Sequence, residues 1–226
     1  MSTAATDVHA LPATSRDQAL VRVGAPRRRA VAKRLLDIAL VLVLSVAAVP
    51  VVLVLAVAIK LDSPGKVLFR QERVGQGGRR FGILKLRTMV PEAELLLPLV
   101  ADQNEAEWPL FRIHRDPRCT PVGRVLRALG LDELPQLWNV LRGDMSMVGP
   151  RPALAHEMER WTPAMHRRLD VKPGITGTWQ ISGAGRWARF EEYARLDLQY
   201  VDHWSVWTDL VILAKTLPSL IPRRGR

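Results

Sequence analysis

A single cysteine, Cys119, among 226 residues excludes an intrachain disulfide and fits a reducing compartment. Histidine is almost as scarce, and His9, His114, His156, His166 and His203 show no metal-ligand spacing, which argues against a zinc centre. Acids are the minority charge: 22 Asp and Glu face 33 Lys and Arg, a formal charge of +11 and a pI of about 10.9. A chain so poor in negative charge meets something anionic, whether nucleic acid, a lipid surface or a phosphorylated substrate. Charge of either sign is missing altogether from Ile38 to Ile59, a run close to the ~20 residues with which a helix spans a bilayer. It starts too far into the chain for a secretory signal and lacks the usual cleavage pattern at its end.

The apolar run divides the chain. A disordered basic tail over residues 1–30, rich in Ala, Thr, Ser and Pro, precedes a membrane segment over 31–61 and a cytoplasmic domain over 62–226. Two features of the run argue against a simple spanning helix. Pro50 sits in its middle, where it removes a backbone donor and clashes with the preceding turn. Both flanks are basic: Arg27, Arg28, Arg29, Lys33 and Arg34 before it, Lys60, Lys66, Arg70 and Arg73 after it. Lys and Arg stay on the cytoplasmic side, so a helix broken at Pro50 that dips in and returns satisfies both flanks. A kinked single-pass helix is the alternative.

Beyond the run, "VLFRQERVGQGGRRFGILKLRTM" reads as strand, glycine turn, strand. The glycines lead into a second strand and not a helix, so they do not make a dinucleotide loop. Lys85 and Arg87, two apart, would share a strand face, as exposed bases or as a phosphate-facing pair. "PEAELLLPLV" suggests a short surface helix interrupted by Pro98. "TPVGRVLRALG" carries Val122, Val125, Leu126 and Leu129 at helical spacing, with Arg124 and Arg127 on the polar side and Gly130 as a stop.

"LDELPQLWNVLRGDMSMVGPRP", residues 131–152, places two adjacent acids where a helix begins. Asp132 near the N-cap, Pro135 in the first turn and Gly143 at the end leave Leu134, Leu137, Trp138 and Leu141 as the buried stripe. Free N–H groups and the dipole there would keep Asp132 ionised near neutral pH. Either the acids cap the helix or they do chemistry. At the other end of the chain, "HWSVWTDLVILAKTLPSLIPRRGR" sets Trp204, Trp207, Leu210, Val211 and Leu217 beside terminal bases, the pattern of an interfacial amphipathic helix or of one packed on the domain core.

"KRLLDI", "IKLDSPGKVLFRQERVG", "LKLRTM", the 131–152 stretch, "VKPGITGTWQISG" and "LDLQYVDHWS" follow one another in order. Together they resemble the bacterial sugar transferase family, the monotopic polyprenyl-phosphate phosphoglycosyl transferases, from about Arg34 to Leu217. With no further apolar run before residue 38, the resemblance is to the small, single-domain form. It implies transfer of a sugar 1-phosphate from a UDP-sugar to undecaprenyl (polyprenyl) phosphate, releasing UMP, as the first membrane step of a surface polysaccharide or glycoconjugate. It implies Asp132 as nucleophile through an aspartyl phosphosugar intermediate, with Glu133 beside it. Magnesium, bound through Asp132, would screen the anionic donor from the anionic nucleophile. By motif position Lys85, Arg127, Arg151, Arg186 and Asp197 would contact substrate. The basic surface then serves lipid and diphosphate without nucleic acid, at the cytoplasmic face of the bacterial inner membrane, and is compatible with a homodimer.

The departures are local. Val49-Pro50 stands where the family often has Ser-Pro, with Ser45 one turn away. Leu129-Gly130 stands for a frequent Thr-Ser, and Gln199 for a frequent Tyr. "SGAGRWARFEEY" is about one residue longer than usual, so the match of Arg186 carries a one-residue register. The expected fold is α/β, mostly helical with a small β-hairpin or sheet: a monotopic membrane protein with a Pro-broken re-entrant helix and interfacial amphipathic helices. A glycosyltransferase that moves the sugar alone and releases UDP, and a non-catalytic basic membrane-tethered binding protein, are the competing functions.

Overall fold

The computed structural model describes residues 27–182 and 189–220. It opens with a 36-residue helix, α1 (Arg27–Asp62). Among the described residues this is the one helix long and apolar enough to cross a membrane. Pro50 lies inside it without ending it. The ring costs one backbone donor, but the run of Val, Leu and Ala on both sides keeps the helix going, so the expected break at Pro50 is not seen. Leu42, Val43, Val46, Leu53, Val54 and Val57 are exposed along its middle, an apolar surface that calls for lipid or a partner.

Both ends of α1 are fastened to the domain that follows. At the first end, Lys33 donates to Asp209 (2.6 Å) and to the Val148 carbonyl (3.1 Å). Arg34 donates to the carbonyls of Val140 and Leu141 (2.5 and 2.7 Å). Asp37 accepts from the Ser146 hydroxyl and the Met147 amide, each at 3.0 Å. "KRLLD" is therefore a clamp. At the other end Arg87 donates to the carbonyls of Ser63 (2.8 Å) and Pro64, while Ile59 packs with Leu86 and Leu126. Arg87 thus pins the turn that leads out of α1. It does not pair with Lys85 toward a phosphate.

Strands β1 (Leu68–Val74) and β2 (Arg80–Leu86) form the expected antiparallel hairpin. Gly77 and Gly78 take φ of 65° and 77° in its turn, where a side chain would be strained. The register pairs Phe69 with Lys85, Gln71 with Ile83 and Arg73 with Phe81, so Gln71, Arg73 and Lys85 share one face. In the segment after the hairpin, where a short helix interrupted by Pro98 is expected, a 3-10 helix, Leu97–Gln103, has Pro98 at its start. Helix α2 (Pro121–Leu129) begins where Thr120 accepts from the Gly123 amide at 3.0 Å and ends at Gly130, φ 67°. Its buried residues are Gly123 and Leu126, while Val125 and Leu129 stay exposed.

A separate 3-10 turn, Leu131–Glu133, comes next, and α3 (Gln136–Arg142) starts only after Pro135. The acids thus precede the helix; they do not cap it. Gly143, φ 87°, ends it as expected. The buried face also differs from the expected stripe: Leu137 and Val140 are buried together with Gln136 and Asn139, while Trp138 is 56% exposed. Beyond α3, β3 (Ser146–Val148) runs parallel to β4 (Gly174–Thr176), a second small sheet, and α4 (Thr178–Ile181), α5 (Phe190–Asp202) and α6 (Val206–Leu220) follow.

Val41, Ile83, Leu137, Val140, Met145, Val148, Tyr200 and Ile212 form the main core, so the membrane helix, the hairpin and the last helix share one interior. On α6, Trp207 and Leu210 are exposed. Trp204, just before it, packs against the core and donates its indole N–H to Asp209 at 3.2 Å. The final "RRGR" lies outside the described residues.

Candidate active site

Asp132 is only 8% exposed. Burial pushes its carboxyl up to about 6, Glu133 adds to the rise, and Lys85 and Arg127 pull against it. No side-chain cap bond forms at the 3-10 turn or at the start of α3, so dehydration and not a helix dipole sets the charge of Asp132. Its neighbour is held differently: Lys85 donates to Glu133 at 2.8 Å across the end of the hairpin. Arg127, one α2 turn before the acids, donates to the Cys119 sulfur at 2.9 Å. Lys85 is bonded to Glu133, and both Lys85 and Arg127 are close enough to act on the Asp132 charge, so the four side chains lie in one cluster.

Arg151 follows β3 between Pro150 and Pro152. Its Nη1 donates to both oxygens of Glu157, at 3.0 and 3.2 Å. Asp197, expected at the substrate, is 0% exposed and accepts from Arg168 Nε at 3.0 Å. Burial raises its carboxyl to about 6 against the pull of Arg168. Arg168 links it to Arg151, donating also to the Arg151 carbonyl at 3.4 Å and to the Tyr193 hydroxyl at 2.8 Å, and the Arg151 backbone itself acts on the Asp197 charge. Arg186 lies outside the described residues.

Among the described residues no three His, Cys, Asp or Glu side chains converge on a metal position. Magnesium, however, typically takes one or two carboxylates and completes its shell with water and substrate phosphate. The adjacent Asp132 and Glu133 fit that role.

The bacterial sugar transferase profile matches residues 28–223. The chain belongs to the bacterial sugar transferase family. It is 44% identical over 196 residues to the UDP-glucose:undecaprenyl-phosphate glucose-1-phosphate transferase of Caulobacter vibrioides, covering 84% of this chain and 69% of that protein. It is 40% identical over 199 residues to the exopolysaccharide production protein ExoY of Rhizobium meliloti, covering 86% and 87%. It is 41% identical over 195 residues to the galactosyl transferase CpsE of Streptococcus agalactiae, covering 86% of this chain and 43% of that protein.

Several residues that build this sugar transferase site carry no advance signal. Asn139 is 1% exposed. Its Oδ1 accepts from the Leu84 amide at 3.0 Å and its Nδ2 donates to the Gly82 carbonyl at 2.8 Å. The side chain thus acts as a neighbouring strand for β2 and sets the register that brings Lys85 to Glu133. In sequence it looks like a polar residue on a solvent face. Asn139→Leu should leave the Leu84 amide unpaired, lower stability by about 1–3 kcal/mol and loosen Lys85. Thermal melts together with turnover check this; unchanged turnover in a stably folded variant would separate Asn139 from the site.

Proposed function

We propose that the chain transfers a sugar 1-phosphate from a UDP-sugar to undecaprenyl phosphate, with Asp132 as the nucleophile. The observation that carries this is the unequal state of the two acids: Glu133 is neutralised by Lys85 at 2.8 Å, while Asp132 is buried and raised to about 6. A carboxylate stripped of water is a better nucleophile than one in solution, and at pH 7 this one is still mostly ionised.

In the first half-reaction an Asp132 oxygen attacks the phosphorus bearing the sugar. Its bond to the bridging oxygen breaks, and UMP leaves with that electron pair. In the second, a phosphate oxygen of undecaprenyl phosphate attacks the same phosphorus. The aspartyl bond breaks, the carboxylate is restored and polyprenyl diphosphate sugar departs. Splitting one hard step into two easier ones is the use of covalent catalysis. Lys85 and Arg127 offset the repulsion between carboxylate and diphosphate. A magnesium ion held by Asp132 and Glu133 would supply further charge neutralisation at the phosphates.

The membrane arrangement supports a lipid acceptor. Val52, Leu55 and Ile59 of α1 share one apolar cluster with Val122, Leu126 and Leu131, so the residue just before Asp132 belongs to the same cluster as the apolar run. Both ends of α1 are bonded to one domain, which favours an apolar run held at one face of the membrane, the cytoplasmic face of the inner membrane, over one that crosses it. Cysteines placed near residues 25 and 66 are expected to react only with reagents applied from the cytoplasm; labelling of one of them from outside would mean a spanning helix. The relatives' names, with glucose 1-phosphate or galactose as the group moved, favour a UDP-hexose. A donor panel with undecaprenyl phosphate, read out as nucleotide, tests the reaction: UMP is expected, whereas UDP would mean that the sugar alone is moved.

A further inference from the structure

Arg73, near the end of β1, is a buried cation without a bonded anion, only 9% exposed. Its Nη1 donates to the Pro152 carbonyl at 3.1 Å and its Nη2 to Gln71 Oε1 at 2.6 Å. Among the described residues its Nε has no partner. Both acceptors are neutral. The acids in range, Glu157 and Glu133, are bonded to Arg151 and Lys85, and they act on Arg73 as charges without a hydrogen bond. Burial, and then the like charge of Arg151, lower the guanidinium to about 10, so it is charged at neutral pH. Enclosing a charge without a counter-ion is costly, and that cost falls when an anion comes close.

The bond to Gln71 decides how this charge reaches the site. Arginine has donors only, so the amide must turn its oxygen to Arg73 and its NH2 group the other way. Gln71 is half-buried. Among the described residues its Nε2 bonds to nothing, and it is not enclosed. The outward end of the side chain therefore offers two N–H donors and no acceptor. The register puts Gln71 on the face of Lys85 as its diagonal neighbour, about 7–8 Å away. Lys85 in turn is bonded to Glu133 of the dyad. Lys85, the Gln71 amide and Arg73 behind it thus form a row of donors that starts at the acids and has no use within the fold beyond the satisfaction of Arg73.

We infer that Gln71 is a further substrate-contacting residue: its N–H groups, aimed by Arg73, hold the phosphate that leaves as part of UMP. The inference rests on the phosphoglycosyl-transfer reading. When the Asp132 oxygen attacks the phosphorus bearing the sugar, the bond from that phosphorus to the bridging oxygen breaks, and the electron pair stays on UMP. The new charge thus appears one phosphate away from the point of attack. A donor pair beside Lys85, one step further from the dyad, meets it there. Arg73 polarises the amide and strengthens its N–H donors, so a neutral side chain carries part of a buried positive charge to the leaving group.

The unmodified full-length protein, Gln71→Met and Gln71→Glu, all in detergent, are titrated with UMP and with uridine. Gln71→Met keeps the length of the side chain and removes both donors. It should bind UMP roughly tenfold to a hundredfold more weakly, the scale of a hydrogen bond to a charged group, while uridine, which lacks the phosphate, binds all three proteins alike. Gln71→Glu supplies the counter-ion that Arg73 lacks. It should melt above the unmodified protein and yet bind UMP more weakly still, a combination that a purely structural role would not produce. Unchanged UMP binding in either variant overturns the inference, and so does an equal loss for uridine, which would mean general damage to the site. If Gln71→Met does not fold, Gln71→Glu alone decides between these outcomes. An unmodified protein that fails to bind UMP would refute the reaction and this inference together; one that binds UMP no better than its variants do would refute this inference alone.

Discussion

Asp132→Asn should abolish UMP release, lowering kcat by about a thousandfold or more, as loss of a covalent nucleophile does. The same change should make the protein more stable at neutral pH. The Asp132 carboxyl sits at about 6 in the folded chain against an ordinary value of 3.8, so the native state binds its proton more tightly than the unfolded state. Its favourable contribution is complete below pH 3.8 and is lost as pH rises through about 6. Above that, the ionised group costs up to about 3 kcal/mol. Asn, uncharged and nearly the same shape, escapes the cost. Thermal melts should show the variant above the unmodified protein at pH 8 and level with it near pH 4. Activity should follow the opposite trend, falling as pH drops through 6 and the nucleophile is protonated. A variant that is inactive and also destabilised at pH 8 would indicate a structural role for Asp132.

The second large effect is expected far from the dyad. Asp37 is buried and is the acceptor for both the Ser146 hydroxyl and the Met147 amide. Asp37→Leu keeps the apolar character of the helix but leaves two buried donors unmatched, at about 1–3 kcal/mol each. The loss falls on the contact between α1 and β3. We expect a sharp drop in melting temperature and in folded yield, with α1 detached from the domain and its first half more open to protease. Asp37→Asn, which can still accept, should recover most of the stability. Equal damage from Leu and Asn would show that the charge of Asp37, and not its acceptor capacity, holds the helix.

Much of this was legible in the chain because it depends on local chemistry. Glycines at 77 and 78 announce the hairpin turn, Gly130 marks the end of α2, and an uncharged run marks the membrane helix. The order of the motifs placed Asp132, Glu133, Lys85 and Arg127, which the fold brings into one cluster. What stayed hidden depends on distance. Pro135 stands just before α3 and not inside its first turn, which leaves the acids outside the helix; its buried face also differs, with Trp138 exposed while Gln136 and Asn139 are enclosed. Buried polar residues defeat hydrophobic periodicity because they read as solvent-facing. Asn139 meets β2 more than fifty residues upstream, and Arg168 meets Asp197 across 29; no local pattern encodes either partner. The role of "KRLLD" was hidden for the same reason, since its partners lie more than a hundred residues away.

The covalent intermediate is the central claim, and one measurement reaches it directly. The full-length protein is incubated with a UDP-sugar carrying a labelled sugar, without undecaprenyl phosphate, then quenched, digested and analysed by mass spectrometry. The expected result is one equivalent of UMP released and a phosphosugar on the peptide containing Asp132, discharged when undecaprenyl phosphate is added and absent in Asp132→Asn. An unmodified Asp132 peptide in protein that turns over normally once acceptor is supplied would contradict it, because the phosphosugar would then pass from donor to lipid without resting on the enzyme.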